Sequence, residues 1–251
     1  MAKQTKEPIG IAIVDKPAGF TSHDVVAKAR KVFGTRKIGH SGTLDPDATG
    51  VLILGVGRAT RLLRFLTLLP KSYIGEIVFG KETSTLDSSG EVLAVHDMTN
   101  LKASEVRKAS QMFLGEIEQT PPMVSAVKVG GKRLYEIARE GLEVDRPSRI
   151  VSVQRFEANP TDDPLVYEVL VDCSSGTYVR SLAADLGFSL GGGAHLRNLR
   201  RTAVGSFKES EAKPIEEAVL HDPISAMRDF ETVEVSEEVE KVMSEEKDLF
   251  A

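Results

Sequence analysis

The sequence predicts an α+β domain built on a mixed, mainly antiparallel sheet with flanking helices. Three observations carry this prediction. Strand-like segments outnumber helical ones, many are joined by turn-rich links, and the helical stretches are few and amphipathic.

Gly10–Asp15 is a short apolar run stopped by Lys16-Pro17-Ala18-Gly19, the pattern of a buried strand entering a turn. Ser22 is the expected cap of the next helix, with Val25, Val26, Ala29 and Val32 on one face and Lys28, Arg30 and Lys31 toward water. Residues 34–50 read as a loop, because Gly34, Gly39, Gly42, Pro46 and Gly50 punctuate them too densely for a helix or central strand. Val51–Val56 resumes regular structure. Arg58–Leu66 has helical spacing, with Leu62, Leu63 and Leu66 inward and Arg58, Arg61 and Arg64 forming a cationic stripe.

Ser72–Gly80 alternates as a strand, Glu91–Val95 reads as another, and Ser104–Leu114 as a helix with Val106, Met112 and Phe113 apolar. Met123–Val129 leads into Gly130-Gly131, a hairpin-like turn, and Arg133–Glu140 has the look of a short helix. The section from about 120 to 149 is polar, basic and turn-rich, which suits either an RNA-gripping insertion or a plain surface hairpin. Arg149–Glu157 and Leu165–Cys173 are strands on either side of Asn159–Pro164. Tyr178–Leu190 has helical periodicity and Gly191-Gly192-Gly193 ends it. Leu196–Phe207 reads as a final strand, after which Pro214 opens a helix-prone tail.

A net charge of −5 argues against a polyanionic partner until its distribution is read. Residues 209–251 hold 14 acidic and 4 basic side chains, so the rest of the chain is net positive. Its first 71 residues carry 12 bases against 5 acids, enough to supply phosphate contacts or simply a solvated surface. The single Cys173 excludes an internal disulfide and a thiolate zinc cluster, and the five histidines lack ligand spacing, so no metal is expected. No apolar run reaches the ~18 residues of a membrane span, and the N-terminus has no signal-peptide core, so the expected location is the cytoplasm.

The sharpest local feature is the run His40-Ser41-Gly42-Thr43-Leu44-Asp45-Pro46-Asp47-Ala48-Thr49-Gly50. Asp45 precedes a proline, which holds its backbone extended and stiffens the turn, so its carboxylate can be held in one direction. Such a group is either a nucleophile or base, or an ordinary turn former.

Five blocks, GIAIVDKPAGFTSHDVV (10–26), IGHSGTLDPDATGVLILGVGRATRL (38–62), KSYIGEIVFG (71–80), CSSGTYVRSLAADLG (173–187) and GGGAHLRNLRRTAVGSF (191–207), occur in the order found in bacterial tRNA pseudouridine synthases of the TruB type. From about residue 9 to 208 the chain resembles that family. The resemblance implies the pseudouridine synthase fold, with residues 1–208 as the catalytic domain. It implies isomerisation of uridine to pseudouridine at position 55 in the T loop of tRNA, by base flipping and attack by Asp45. Under the same resemblance Arg180 pairs with Asp45, Tyr73 stacks on the target base and can help remove its carbon 5 proton, and His40 fills the space the uridine vacates. Tyr178 and Leu199 match pocket walls, Lys16 belongs to the Lys-Pro turn near the site, and Asp87 matches an aspartate by the substrate-holding loop.

The implied reaction needs no cofactor, since uracil supplies its own electrophilic ring. The expected partner is the T stem-loop of tRNA, bound by a monomer with no guide RNA and no membrane. Bacterial relatives commonly add a small β-rich RNA-contacting domain, whereas residues 209–251 are acidic, helix-prone and too few to build one comfortably. Other classes are a non-catalytic RNA-binding scaffold, the catalytic subunit of a guide-RNA particle, and a carboxylate hydrolase.

Overall fold

The computed structural model describes residues 7–237 apart from 126, 127, 135, 136, 138, 139, 141 and 143. The strands are β1 (Gly10–Lys16), β2 (Ile38–His40), β3 (Thr49–Val56), β4 (Lys71–Phe79), β5 (Lys81–Thr83), β6 (Val92–Val95) and β7 (Gly115–Gln119). They continue as β8 (Lys128–Val129), β9 (Lys132–Arg133), β10 (Arg149–Pro160), β11 (Val166–Cys173), β12 (Ala194–Val204) and β13 (Phe207–Lys208). The helices are α1 (Ser22–Val32), α2 (Leu63–Leu66), α3 (Ala103–Ser110) and α4 (Val179–Ser189).

Nine strands form one sheet in the order β1-β3-β12-β4-β11-β10-β7, with β2 on β3 and β13 on β12. Its pairings are antiparallel except β12 on β3, where Arg200 faces Thr49 and Arg201 faces Gly50. The expected mixed, mainly antiparallel α+β architecture is therefore present. Gly50 makes the parallel contact possible. Its φ is +103°, and a Cβ there would stand 2.2 Å from the carbonyl oxygen of Arg201.

The alternation of β4 sends Tyr73, Ile77 and Phe79 inward against Val169 and Val171 of β11 and Leu182 and Leu186 of α4. α3 closes the same core through Val106 and Ala109. A second layer buries Val25, Val26 and Ala29 of α1 against Val14 of β1 and Leu52 and Leu54 of β3. Among the described residues no helix is long and apolar enough to cross a membrane.

Several boundaries differ from expectation. α1 is capped by Thr21, whose side chain accepts from the Asp24 N–H while Asp24 caps back, so Ser22 is the first helical residue and free for another task. Val32 at the end of α1 is 43% exposed rather than on the buried face. The expected loop 34–50 contains β2, paired to β3 because Ile38 finds a buried site and Gly39 lets Leu63 pack on the backbone. Arg58–Leu66 is a 3₁₀ turn at Gly57–Leu62 followed by the single turn of α2. Leu63 and Leu66 are buried, and Arg58, Arg61 and Arg64 are exposed as the stripe requires.

α3 stops at Ser110, and Gln111–Phe113 tighten into a 3₁₀ turn that leaves Met112 75% exposed. The hairpin around Gly130-Gly131 is present as β8 and β9, while half of the helix expected at Arg133–Glu140 lies outside the described residues. The final strand ends at Val204, and Gly205-Ser206 turns it back into β13. The tail begins with short 3₁₀ turns at Glu209–Glu211, Ile215–Glu217 and Ser225–Met227 rather than an α-helix. Pro214 and Pro223 interrupt the chain too often for one to propagate. This segment lies along β1, with Lys213 and His221 exchanging main-chain hydrogen bonds with Ile11, Ile13 and Asp15.

Candidate active site

A cleft of about 450 Å³ opens between the loop after β2, the start of β4, the bulged middle of β12 and the N-terminus of α4. Asp45 sits in that loop with both chain neighbours fastened. The Ser22 hydroxyl accepts from the Leu44 N–H at 2.9 Å and donates to the Leu44 carbonyl at 3.3 Å. The Pro46 carbonyl accepts from Lys16 Nζ at 2.9 Å and from the Gly19 N–H at 3.0 Å. Lys16 is fully buried and also donates to the carbonyls of Pro17 and Phe20. The Lys-Pro turn is thus the clamp of the Asp45 loop. Three carbonyl partners do not fully offset burial, and desolvation lowers Lys16 to about 8.

Arg180 is the hub. Its Nε lies 3.0 Å from Asp45 Oδ2, and NH2 donates to Asp45 Oδ1 at 3.1 Å and to the Val124 carbonyl at 2.8 Å. NH1 donates to the Thr85 carbonyl at 2.9 Å and to Asp87 Oδ2 at 3.1 Å. A guanidinium is a rigid planar fork, and here NH1 and NH2 make four hydrogen bonds while Nε sits against Asp45, so its plane is fixed. Asp87 is itself held, since its Oδ1 accepts from the Thr85 hydroxyl and from the N–H and hydroxyl of Ser89. The Arg180 side chain is 5% exposed, while Asp45 keeps 38% of its side-chain surface open toward the cleft. Burial raises the Asp45 carboxyl above its ordinary value, Arg180 pulls it down, and Asp87 pushes it up again.

Tyr73 lines the cleft from β4 and is 9% exposed. Burial raises its phenol, against the opposing charge of Arg201. Tyr178 lines the opposite wall. Gln119 fixes its main chain, accepting from the Tyr178 N–H at 2.6 Å and donating to its carbonyl at 3.0 Å, and the Arg149 guanidinium lies 4.6 Å from the ring centre. Leu199 reaches the cleft because β12 bulges between Arg197 and Arg200, with Asn198 at φ +53°.

Asp45, Arg180, Tyr73, Tyr178 and Leu199 therefore share one cleft. Asp87 and Lys16 stand behind it, Asp87 on an adjoining depression of about 170 Å³ that also meets Asp45, Arg180 and Leu199. His40 is apart from the lining, edge-on to His23 at 5.3 Å, with its Nδ1 buried and unpartnered. Burial, then His23, lowers its pKa, which favours the neutral ring. Sequence reasoning missed Lys71, Gln119, Ser125, Arg149 and Arg201 at or behind the cleft. Arg201 could not be separated from Arg200 by type; Arg200 faces outward and pairs with Asp15 and Glu209, whereas Arg201 is 1% exposed.

The description TruB family pseudouridylate synthase (N terminal domain) fits residues 30–179, and tRNA pseudouridylate synthase B C-terminal domain fits residues 180–229. The chain belongs to the TruB family of pseudouridylate synthases. It is accordingly an enzyme of the isomerase class, one of the tRNA-modifying synthases. A protein of Mycobacterium sp. (strain KMS) named tRNA pseudouridine synthase B is 51% identical over 217 residues, 85% of this chain and 73% of that protein. The protein of that name from Mycobacterium tuberculosis (strain ATCC 25618 / H37Rv) is 46% identical over 223 residues, 88% and 75% of the two chains. Among solved structures, a chain of a Cbf5-Nop10-Gar1 complex is 32% identical with a TM-score of 0.63. That match covers 81% of this TruB-family chain and 51% of the solved one, so the chain spans about half its length.

Proposed function

We propose that this chain converts the uridine at position 55 in the T loop of tRNA to pseudouridine, with Asp45 as the nucleophile attacking a uridine whose base is flipped into the cleft. The observation that carries the reading is the two-point contact of Arg180 with Asp45 at the wall of a cleft lined by Tyr73, Tyr178 and Leu199. A buried carboxyl drifts toward its neutral form, and the guanidinium opposes that drift while aiming both oxygens. An aromatic ring and apolar walls suit an unstacked pyrimidine.

The reaction is an internal exchange. The bond from ribose carbon 1 to uracil N1 breaks, a bond from carbon 1 to carbon 5 forms, carbon 5 loses its proton and N1 gains one. Tyr73 stacks on the base and helps take the carbon 5 proton, His40 fills the vacated space in the RNA, and Lys16 and Asp87 hold the Asp45 loop and Arg180. No cofactor takes part. The protein works as a monomer in the cytoplasm, without guide RNA. Residues 1–208 are the catalytic domain, and the insertion at about 120–149 grips RNA, a role supported by Val124 and Ser125 reaching the site. The acidic 209–251 tail stands outside the RNA contact.

The test is tritium release from a tRNA transcript labelled at uridine carbon 5, with protein alone. Turnover should appear at position 55, and Asp45→Asn should abolish it while tRNA binding stays near normal. Normal turnover by the variant would remove Asp45 from its role, and a requirement for added guide RNA would overturn the stand-alone reading.

A further inference from the structure

The floor of the cleft holds two cations that the Asp45–Arg180 pair does not involve. Lys71 and Arg201 line it, yet are 6% and 1% exposed. Their hydrogen bonds go to main-chain carbonyls: Lys71 Nζ to Thr67 at 2.8 Å and Leu69 at 2.6 Å, Arg201 Nε to Val51 at 2.7 Å and NH2 to Gly42 at 3.3 Å. Among the described residues neither forms an ion pair with a carboxylate, and Arg201 also acts on the phenol of Tyr73. A Cβ on Gly42 would stand 3.7 Å from Lys71 Cε and 3.8 Å from Arg201 NH1, so both cations flank one bare stretch of backbone.

The thiol of Cys173 supplies no counter-charge, because burial pushes it up to about 11. Desolvation and then Arg201 lower Lys71 to about 8, which leaves it charged at neutral pH. Two uncompensated like charges under cover are unfavourable until an anion meets them.

We infer that Lys71 and Arg201 stabilise the negative charge that develops on the uracil as it separates from the ribose. This rests on the proposed flipping of the base into the cleft. The base enters deepest and its phosphates stay nearer the mouth, so nearly covered cations are reached by the ring. Lys71 also shares a face of β4 with Tyr73, two residues along, and Arg201 is the charge acting most strongly on the Tyr73 phenol.

An Asp45 oxygen bonds to ribose carbon 1 as the bond from carbon 1 to N1 breaks, and the electron pair of the broken bond goes to the base and spreads over N1, carbon 5 and the ring oxygens. Carbon 5 of the turned base then bonds to carbon 1 and releases the Asp45 carboxylate, the carbon 5 proton leaves with the help of Tyr73, and N1 takes one up. Bound uracil is neutral and the separated ring is anionic, so the two cations favour the breaking state over the bound one.

The test compares Lys71→Met and Lys71→Gln on a T-arm stem-loop carrying uridine or 5-fluorouridine at the target, reading separately Kd and the single-turnover rate at saturation, taken for both substrates as loss of the original N1-linked nucleoside, since the fluorinated base has no carbon 5 proton to release. Lys71→Met should slow the rate ~100-fold with Kd within about 3-fold of wild type. Lys71→Gln, which keeps a donor for the carbonyls, should fold with a wild-type circular dichroism spectrum and show the same deficit, while Lys71→Arg recovers most of the rate. Fluorine makes the base a better anion, so the deficit should shrink several-fold on the 5-fluorouridine substrate.

An unchanged saturating rate would overturn the inference, as would equal deficits on the two substrates. A loss confined to Kd would overturn it too, and would mark the cations as phosphate contacts. Asp45→Asn should be inert on both substrates, so a normal Lys71→Met rate beside an inert Asp45→Asn sinks the cationic floor alone.

Discussion

Asp45 and Arg180, 135 positions apart in the chain, meet at two points, with 3.0 Å between Nε and Oδ2 and 3.1 Å between NH2 and Oδ1. The same guanidinium ties Thr85, Asp87 and Val124, so three separate loops converge on one rigid cation. The carboxylate is aimed by a group that cannot turn without releasing all three.

Arg180→Lys keeps the charge and loses the fork. One ammonium cannot reach both Asp45 oxygens, Asp87 and two carbonyls, so the single-turnover rate should fall ~100-fold or more. Unfolding in urea should show a loss of about 1–3 kcal/mol from unpaired buried carbonyls. A rate within a few-fold of wild type would mean that the fork is incidental.

In the proposed reaction Asp45 acts as the anion, and burial raises its folded pKa, so activity should fall as pH drops through a limb lying above the ~3.9 of a free aspartate. Asp87 contributes to the raising, so Asp87→Asn should move this limb to lower pH. The plateau should fall at the same time, because Arg180 loses an anchor. The profile of kcat/KM against pH decides it, and an upward move of the limb contradicts the assigned electrostatics.

Gly50→Ala places a methyl 2.2 Å from the Arg201 carbonyl at a φ of +103°. The loss of stability should be about 3 kcal/mol or more, read from the urea midpoint. Gly19→Ala is the matched control, since Gly19 also has positive φ but nothing within 4 Å of its Cβ position, and its loss should be about 1–2 kcal/mol.

Arg58, Arg61 and Arg64 are exposed on one stripe. Replacing Arg58 and Arg61 by Ala should lower the slope of log Kd against log salt by about 1–2 for tRNA and leave the saturating rate alone. An unchanged slope would place the RNA elsewhere.

The fold was legible wherever one face decided the pattern. β4 shows this best, with Tyr73, Ile77 and Phe79 alternating inward as their spacing demands. Helix ends were less so, because Thr21 and Ser22 are chemically similar caps, and only the nearness of Leu44 assigns Ser22 to the Asp45 loop. At the site, the residues that touch through motifs were readable, and those that meet through topology were not. Lys71 opens a strand with an ordinary alternating pattern, and Gln119 meets Tyr178 only because β7 ends beside α4. The outward turn of Arg200 and the inward turn of Arg201 depend on the bulge in β12, which no local residue preference announces.

The segment that returns along β1 has one more consequence. β1 is an outermost strand of the large sheet, and Lys213 and His221 already occupy the N–H groups of Ile11 and Asp15 and the carbonyls of Ile11 and Ile13. An open rim of that kind is a template on which a second molecule can add a strand and seed aggregates. The returning segment therefore fills the main-chain positions along which another strand would otherwise pair.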